Sequence, residues 1–201
     1  MRLLLIESPG KTKKLQSILG SGWRVCASGG HIRQLSRSGN DALGFELTAS
    51  GVSCCFEPRD DRAKKTISYL KKQAASASEV VIATDEDREG EVIGWHLQQV
   101  LGLKKPKRIT YSEITETAVK KALASPRQLN QSLIGAGLAR SCLDKMVGFR
   151  GSPLLWSLNC GAKSMGRVQS AVLHLVAERE REIKTFVPEP YFSLFVDYEE
   201  G

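Results

Sequence analysis

Residues 3–6 form an unbroken apolar run that stops at Glu7-Ser8-Pro9-Gly10, a polar stretch with a Pro-Gly breaker pair. A short apolar run bounded by turn residues predicts a buried strand. Residues 11–19 then predict a short helix closed by Gly20, and residues 23–27 a second strand ended by Gly29-Gly30. Residues 36–58 read as irregular, with Gly39, Gly44 and Gly51. Residues 62–75 have the spacing of a basic amphipathic helix, and residues 80–83 form a short, wholly apolar strand. Asp85 to Glu89 stand at its end, before a helix to about Leu101, and residues 108–111 predict a further strand. Strands alternating with helices predict an α/β fold, a parallel sheet flanked by helices.

After about Glu113 the period changes. Residues 115–124, 129–134, 138–149 and 167–184 all predict helices, and only residues 191–198 alternate like a strand. The expected organisation is an α/β domain over residues 1–114 and a mainly helical region over residues 115–201. The last strand is followed by nothing that would pair with it, so the 201 residues read as part of a longer protein. No internal repeat or low-complexity segment is evident.

Composition narrows the class. Hydrophobic residues at 41% and charged residues at 25% suit a globular protein rather than a disordered or membrane-embedded one. Lys and Arg outnumber Asp and Glu by 29 to 22, for a net charge of +7. Such a surplus favours polyanionic partners, although it serves solubility equally well. The five cysteines, Cys26, Cys54, Cys55, Cys142 and Cys160, include no CxxC pair, so they predict buried free thiols in a reducing cytosol. The N-terminal segment is too short and too soon polar for a signal peptide, and no apolar run has the roughly 20 residues of a membrane helix. A cytoplasmic, nucleoid-associated location and no membrane partner are expected.

Against this basic background, Asp85-Glu86-Asp87-Arg88-Glu89-Gly90-Glu91 concentrates five carboxylates and one guanidinium. Crowded carboxylates need a compensating cation to stay ionised. Asp85, Asp87 and Glu89 are two apart, so in an extended strand end they share a face and present three hard oxygen donors, the kind Mg²⁺ takes together with water and phosphate. The alternative is a helix start enriched in acids, which the macrodipole favours. Glu7 also follows an apolar strand, and ligand sites of open α/β sheets lie at the carboxyl ends of strands. Lys11 adds a positive charge suited to phosphate. Gly10-Lys11-Thr12 is not the end of a P-loop, since that motif needs a glycine where Leu5 stands.

Taken together, Glu7 in IESPGKTKK and Asp85, Asp87 and Glu89 in ATDEDREGEVIGWH resemble the type IA DNA topoisomerases, whose N-terminal domain is of the TOPRIM type. SGGHIRQL at residues 28–35, EIT at 113–115, LARSCLDKMVGFRGSPLLW at 138–156 and SMGRVQSAVLHLVAEREREI at 164–183 carry the resemblance along the chain. It implies ATP-independent cleavage of one DNA strand through a 5′-phosphotyrosyl link, strand passage and resealing. By resemblance Glu7 handles the proton of the leaving 3′-oxygen, Lys11 stabilises the scissile phosphate, and Asp85, Asp87 and Glu89, with Glu7 beside them, hold Mg²⁺.

The same resemblance has His31 face DNA near the cut and assigns Arg140, Ser141, Asp144, Phe149 and Trp156 to a groove for single-stranded DNA. It places Ser164, Met165, Gly166, Arg167, Val168 and Gln169 at a phosphate-binding helix start. Plainer readings exist for several: a turn histidine for His31, an i,i+4 ion pair for Arg140 and Asp144, core packing for Trp156, and helix capping for Ser164. The charged stretch 178–182 reads as a solvated helix face. The sequence departs from the family at Gln34-Leu35-Ser36, where Asp and Leu-Pro are usual. It departs again at Arg59-Asp60-Asp61, at Phe149 in place of a frequent Tyr, and at Met165 in place of a small residue.

The family's nucleophile sits in a Tyr-x-Arg context, which Tyr69, Tyr111, Tyr191 and Tyr198 all lack. A monomer that binds divalent metal and DNA without cutting it is therefore expected. The alternatives are another TOPRIM enzyme, a primase or nuclease, and a non-catalytic nucleic-acid-binding module.

Overall fold

Leu3, Leu4, Leu5 and Ile6 are each at most 1% exposed, so the first strand is buried on both faces, as a central strand of a covered parallel sheet must be. In the computed structural model, which describes residues 1–49, 51–159 and 161–199, this strand, β1 (Arg2–Ile6), lies between β2 (Trp23–Ala27) and β7 (Glu79–Ile82). A short β8 (Lys107–Arg108) completes a four-stranded sheet of order β2-β1-β7-β8 with all neighbours parallel. Side chains alternate across it. Leu4, Ile6, Val25 and Val81 pack on one face with Leu15 of α1 (Thr12–Leu19) and Val119 of α4 (Glu116–Ala124). Leu3, Leu5 and Ile82 pack on the other with Leu70 of α2 (Asp61–Ala75) and with Ile93 and Leu97 of α3 (Arg88–Leu101).

The stretch read as irregular holds short antiparallel pairs. β3 (Arg33–Leu35) pairs with β6 (Phe56–Pro58), and β4 (Phe45–Thr48) pairs with β5 (Gly51–Cys54). Their few residues and glycine-rich turns hide the period of two from a sequence reading. The strand read over residues 108–111 is confined to Lys107–Arg108.

The helical region differs from expectation in three ways. Residues 129–134 and 138–149 do not form separate helices, because α5 (Gln131–Ser157) is continuous. Gly137 does not break it: a Cβ there would overlap the Val92 side chain, so the glycine lets α5 lie close on α3. Pro153 lies inside α5, where the helix surface is exposed. Ser164 does not cap α6 (Arg167–Thr185), whose N-cap is Gly166. Residues 191–198 are not a strand. They are exposed and unpaired, and an extended segment without a neighbouring strand has no ladder to hold it. The cysteines are also not uniformly buried: Cys26 and Cys142 are, Cys54 is half-buried, Cys55 is exposed, and Cys160 lies outside the described residues. No helix among the described residues is long and apolar enough to cross a membrane.

Candidate metal and nucleic-acid site

The carboxyl ends of β1 and β7 lie side by side because Leu5 pairs with Ile82 in register. Glu7 therefore stands beside the loop that leaves β7. Its carboxyl is pushed above the usual range by burial first, then by the charges of Asp85, Glu89 and Asp87, with Lys11 pulling the other way. Lys11, just before α1, donates to both oxygens of Asp85, at 2.7 and 3.0 Å. Asp87 is the N-cap of α3 and accepts from the Gly90 amide at 2.7 Å. Glu89 lies in the first turn of α3, 3.4 Å from His31 Nε2. Burial pulls the His31 imidazole below its ordinary range, against the opposing charge of Glu89.

The extended-face arrangement of the triad is thus replaced by a loop running into a helix. Asp85 lies in the loop, Asp87 caps the helix and Glu89 is inside it. Asp85, Asp87 and Glu89 serve the helix N-terminus and remain exposed, while Glu7 beside them at the carboxyl end of β1 is half-buried. Gly90 makes this sharp turn possible: a Cβ there would overlap the Asp85 carbonyl. Thr84 tightens the loop by donating to the Gly90 carbonyl at 2.6 Å.

Among the described residues no three ligand-type side chains already converge tightly enough to enclose an ion. Each carboxylate of the triad instead holds a positive or N–H partner: Lys11, the α3 amide or His31. The donor set is nevertheless that of a hard cation. Its four carboxylates, three of them close enough to raise the fourth, Glu7, offer oxygen donors only and have a lysine ammonium as their present counter-charge. These residues fit Mg²⁺, and binding it would release Lys11 from Asp85.

A cleft of about 420 Å³ opens beside the acids, between the β3 and β6 region and helices α3 and α5. Arg33, Arg37, Arg59 and Lys145 line it, along with His31, His96, Ser141 and Phe149, and no acidic side chain does. A smaller cleft of about 110 Å³ shares His31, Val92 and Ser141 with the first, and is lined also by Arg88, Glu89, Gly137, Arg140 and Asp144. The two join the acidic loop to α5.

The wall of the larger cleft is built by packing. The Arg33 guanidinium lies over Phe56 and Trp95, 5.0 and 5.4 Å from the ring centres, and its Nε donates to His96 Nδ1 at 2.8 Å. Its Nη2 is buried with no hydrogen-bond partner among the described residues. Lys145 donates to the Leu35 carbonyl at 3.1 Å and to the Ser36 carbonyl, with its ammonium 5.2 Å from the Phe149 ring centre.

The predicted DNA residues divide. His31, Arg140, Ser141, Asp144 and Phe149 line the clefts. Arg140 pairs with Asp144 at 3.6 Å, and Arg167 Nε reaches the same carboxylate at 2.7 Å, which ties the start of α6 to α5. Ser141 donates to the Gly137 carbonyl at 3.1 Å. Trp156 is not core: it is exposed, and its indole N–H donates to the Lys163 carbonyl at 2.7 Å. The Met165 amide donates to Ser152 Oγ at 3.0 Å, while Gly166, Val168 and Gln169 surround the start of α6, and neither they nor Ser164 line either cleft. Sequence reading missed Arg33, Arg37, Arg59, Lys145 and His96. They are scattered singly along the chain, and only the pairing of β3 with β6 and the packing of α5 bring them together.

None of the four tyrosines is placed as a nucleophile. Tyr111 is the one beside the acids, and burial, with Asp85, pushes its hydroxyl up to about 12. Tyr69 contacts Cys26, and Tyr191 and Tyr198 are exposed beyond α6.

A parallel sheet with acids at the ends of two adjacent strands and a basic cleft alongside defines the class, and comparison with known proteins agrees. Residues 2–114 match the Toprim domain, and residues 128–201 match the DNA topoisomerase family. The chain belongs to the Toprim family, and the two segments in this order make it an N-terminal portion of a type IA DNA topoisomerase. DNA topoisomerase 1 of Fervidobacterium islandicum is 41% identical over 98% of this chain and 27% of its own length. DNA topoisomerase 1 of Zymomonas mobilis is 43% identical over 99% of this chain and 16% of its own. The structure of full-length topoisomerase I from Thermotoga maritima superposes with a TM-score of 0.79 at 40% identity, over 93% of this chain and 31% of that one. The chain thus spans under a third of each of these relatives.

Proposed function

We propose that the chain supplies the metal and leaving-group half of an ATP-independent type IA topoisomerase, which cuts one DNA strand through a 5′-phosphotyrosine, passes another strand and reseals the cut. Residues 1–114 form the metal-binding domain in this reading, and residues 115–201 begin the DNA-binding core. The observation that carries it is the meeting of Glu7, Asp85, Asp87 and Glu89 at one sheet edge, opening into a cleft lined by four cations and no acid. The topoisomerase match over residues 128–201 favours it over a primase or nuclease with the same acids.

Mg²⁺ held by Asp85, Asp87 and Glu89 would neutralise charge on the scissile phosphate and hold the strand ends for resealing. Glu7, with its raised pKa, is suited to keep and return the proton of the 3′-oxygen. Lys11, freed from Asp85, would meet the phosphate as a point charge. Arg33, with its unsatisfied Nη2, and Arg37, Arg59 and Lys145 would hold backbone phosphates along the cleft, and Phe149 would stack on a base. His31, Arg140, Ser141 and Asp144 lie between cleft and metal loop, in place to align the strand. Trp156 and residues 164–169 would contact DNA from the exposed side, at the start of α6. A monomer acting on DNA in the cytoplasm, associated with the nucleoid, completes the reading.

The 201 residues are expected to bind a single-stranded oligonucleotide with an affinity that falls steeply with salt, and to leave supercoiled plasmid unrelaxed. Fluorescence anisotropy across a salt series and a plasmid relaxation assay test both. Relaxation by these residues alone, or binding indifferent to salt, would contradict the proposal.

A further inference from the structure

The largest fully buried side chain is a charged one. Arg108 is 0% exposed, and its guanidinium is spent on the root of the acidic loop. Nη1 donates to the carbonyls of Thr84 at 2.7 Å and Ile109 at 2.5 Å, and Nη2 donates to the carbonyl of Asp85 at 2.8 Å. Thr84 and Asp85 lie just past the end of β7, where the ladder stops and buried carbonyls need another donor. Nε donates to Glu91 Oε1 at 3.1 Å. Glu91, also 0% exposed, accepts from Arg127 Nη2 at 2.7 Å and from the Asn130 amide at 2.8 Å. Asn130 is the N-cap of α5.

We infer that Arg108 is a positioning residue for the metal loop, clamping the carbonyls of Thr84 and Asp85, and that Glu91 ties this clamp to the first turn of α5. The inference rests on reading the acidic cluster as a divalent-cation site. Stability alone does not account for the network, because apolar side chains of similar volume commonly serve a buried position as well as an ion pair or better. What a planar guanidinium adds is several donors at fixed angles to named carbonyls. Mg²⁺ demands ligand oxygens at close to ideal distances, so the loop that carries Asp85 must be held in place. Through Glu91 the same network sets α5, which carries Arg140, Ser141 and Asp144, relative to the acids.

The test is Mn²⁺ binding to the 201-residue chain, followed by electron paramagnetic resonance. Arg108→Lys keeps the charge beside Glu91 but cannot reach three carbonyls at once, and it is expected to weaken Mn²⁺ about tenfold or more. Leu70→Ala, a core truncation in α2 remote from the loop, is expected to lower Tm and leave Mn²⁺ affinity unchanged. If Arg108→Lys does not fold, Glu91→Gln, which keeps the volume and the acceptor for Asn130, decides by the same readout, with an expected loss of about tenfold. Unchanged affinity in a folded Arg108→Lys or Glu91→Gln chain, or an equal loss in Leu70→Ala, overturns the inference and leaves the metal site standing. Failure of the unsubstituted chain to bind Mn²⁺ overturns the metal site itself, and the inference with it.

Discussion

Glu91→Ala is expected to destabilise the chain by about 3–5 kcal/mol, read as a lower midpoint in urea unfolding. Both Glu91 oxygens are used, by Arg108 and Arg127 on one and by the Asn130 amide on the other. Burial alone would raise its pKa, but the hydrogen bonds from Arg127 and Asn130 and the charges of Arg108 and Arg127 bring it below the ordinary range. Removing the carboxylate leaves the buried Arg108 cation with no carboxylate bonded to it, which is far more costly than losing a surface pair. Glu116→Ala provides the contrast. It breaks an exposed i,i+4 pair with Lys120 and is expected to leave the urea midpoint nearly unchanged. If Glu91→Ala costs no more than Glu116→Ala, Glu91 is not the buried counter-charge that holds Arg108.

The second large effect is a dependence of stability on pH centred on His96. Its imidazole is 2% exposed, and burial, with Arg33 and His31 nearby, lowers its pKa to about 3. Nδ1 accepts from Arg33 Nε, so a proton arriving there would face a cation. In the unfolded chain the same ring titrates near its ordinary value of about 6.5. As pH falls below that value the unfolded chain takes up the proton and the folded chain does not. The contribution of His96 is therefore complete above about pH 6.5 and is lost progressively as pH falls toward 3. By pH 4 the loss should reach about 3 kcal/mol. His96→Gln keeps an acceptor for Arg33 without a titrating ring. The stability advantage of the original chain over this variant should shrink by that amount between pH 7 and pH 4. Parallel curves would contradict the assignment. Glu7 works in the opposite direction: its raised carboxyl contributes stability at low pH that is lost as pH rises through its folded pKa. It is common to both proteins and cancels in the comparison.

The acidic loop was legible in the sequence because its signals are local. An apolar run ending in Glu7 and another ending at Asp85 already place carboxylates at strand ends, and β1 and β7 pair as that placement requires. The finer geometry was not legible, because Asp87 and Glu89 are drawn into α3 by the free amides of its first turn. The expected gap between residues 134 and 138 is absent, and the close approach of Gly137 to Val92 is visible only once α5 packs on α3. The alternation of residues 191–198 suggested a strand, but alternation states which faces a segment offers and not whether a neighbour is there to pair with it. Nothing in the strand expected over residues 108–111 marks Arg108 as buried. Its burial follows from partners 17 and 24 positions away in the chain, which no local pattern records. The basic cleft escaped for the same reason, since each of its cations looks like an ordinary surface residue until β3, β6, α3 and α5 are brought together.

If the carboxylates at the ends of β1 and β7 form a divalent-cation site, Mn²⁺ binding with Mg²⁺ competition reports it. The variant to compare is Asp85→Asn with Asp87→Asn, because asparagine caps a helix about as well as aspartate and should leave the start of α3 intact. Saturable Mn²⁺ binding that Mg²⁺ displaces is expected in the original chain, and its loss in the double variant at an unchanged circular dichroism spectrum. Equal binding by both, or no saturable binding by either, would contradict it.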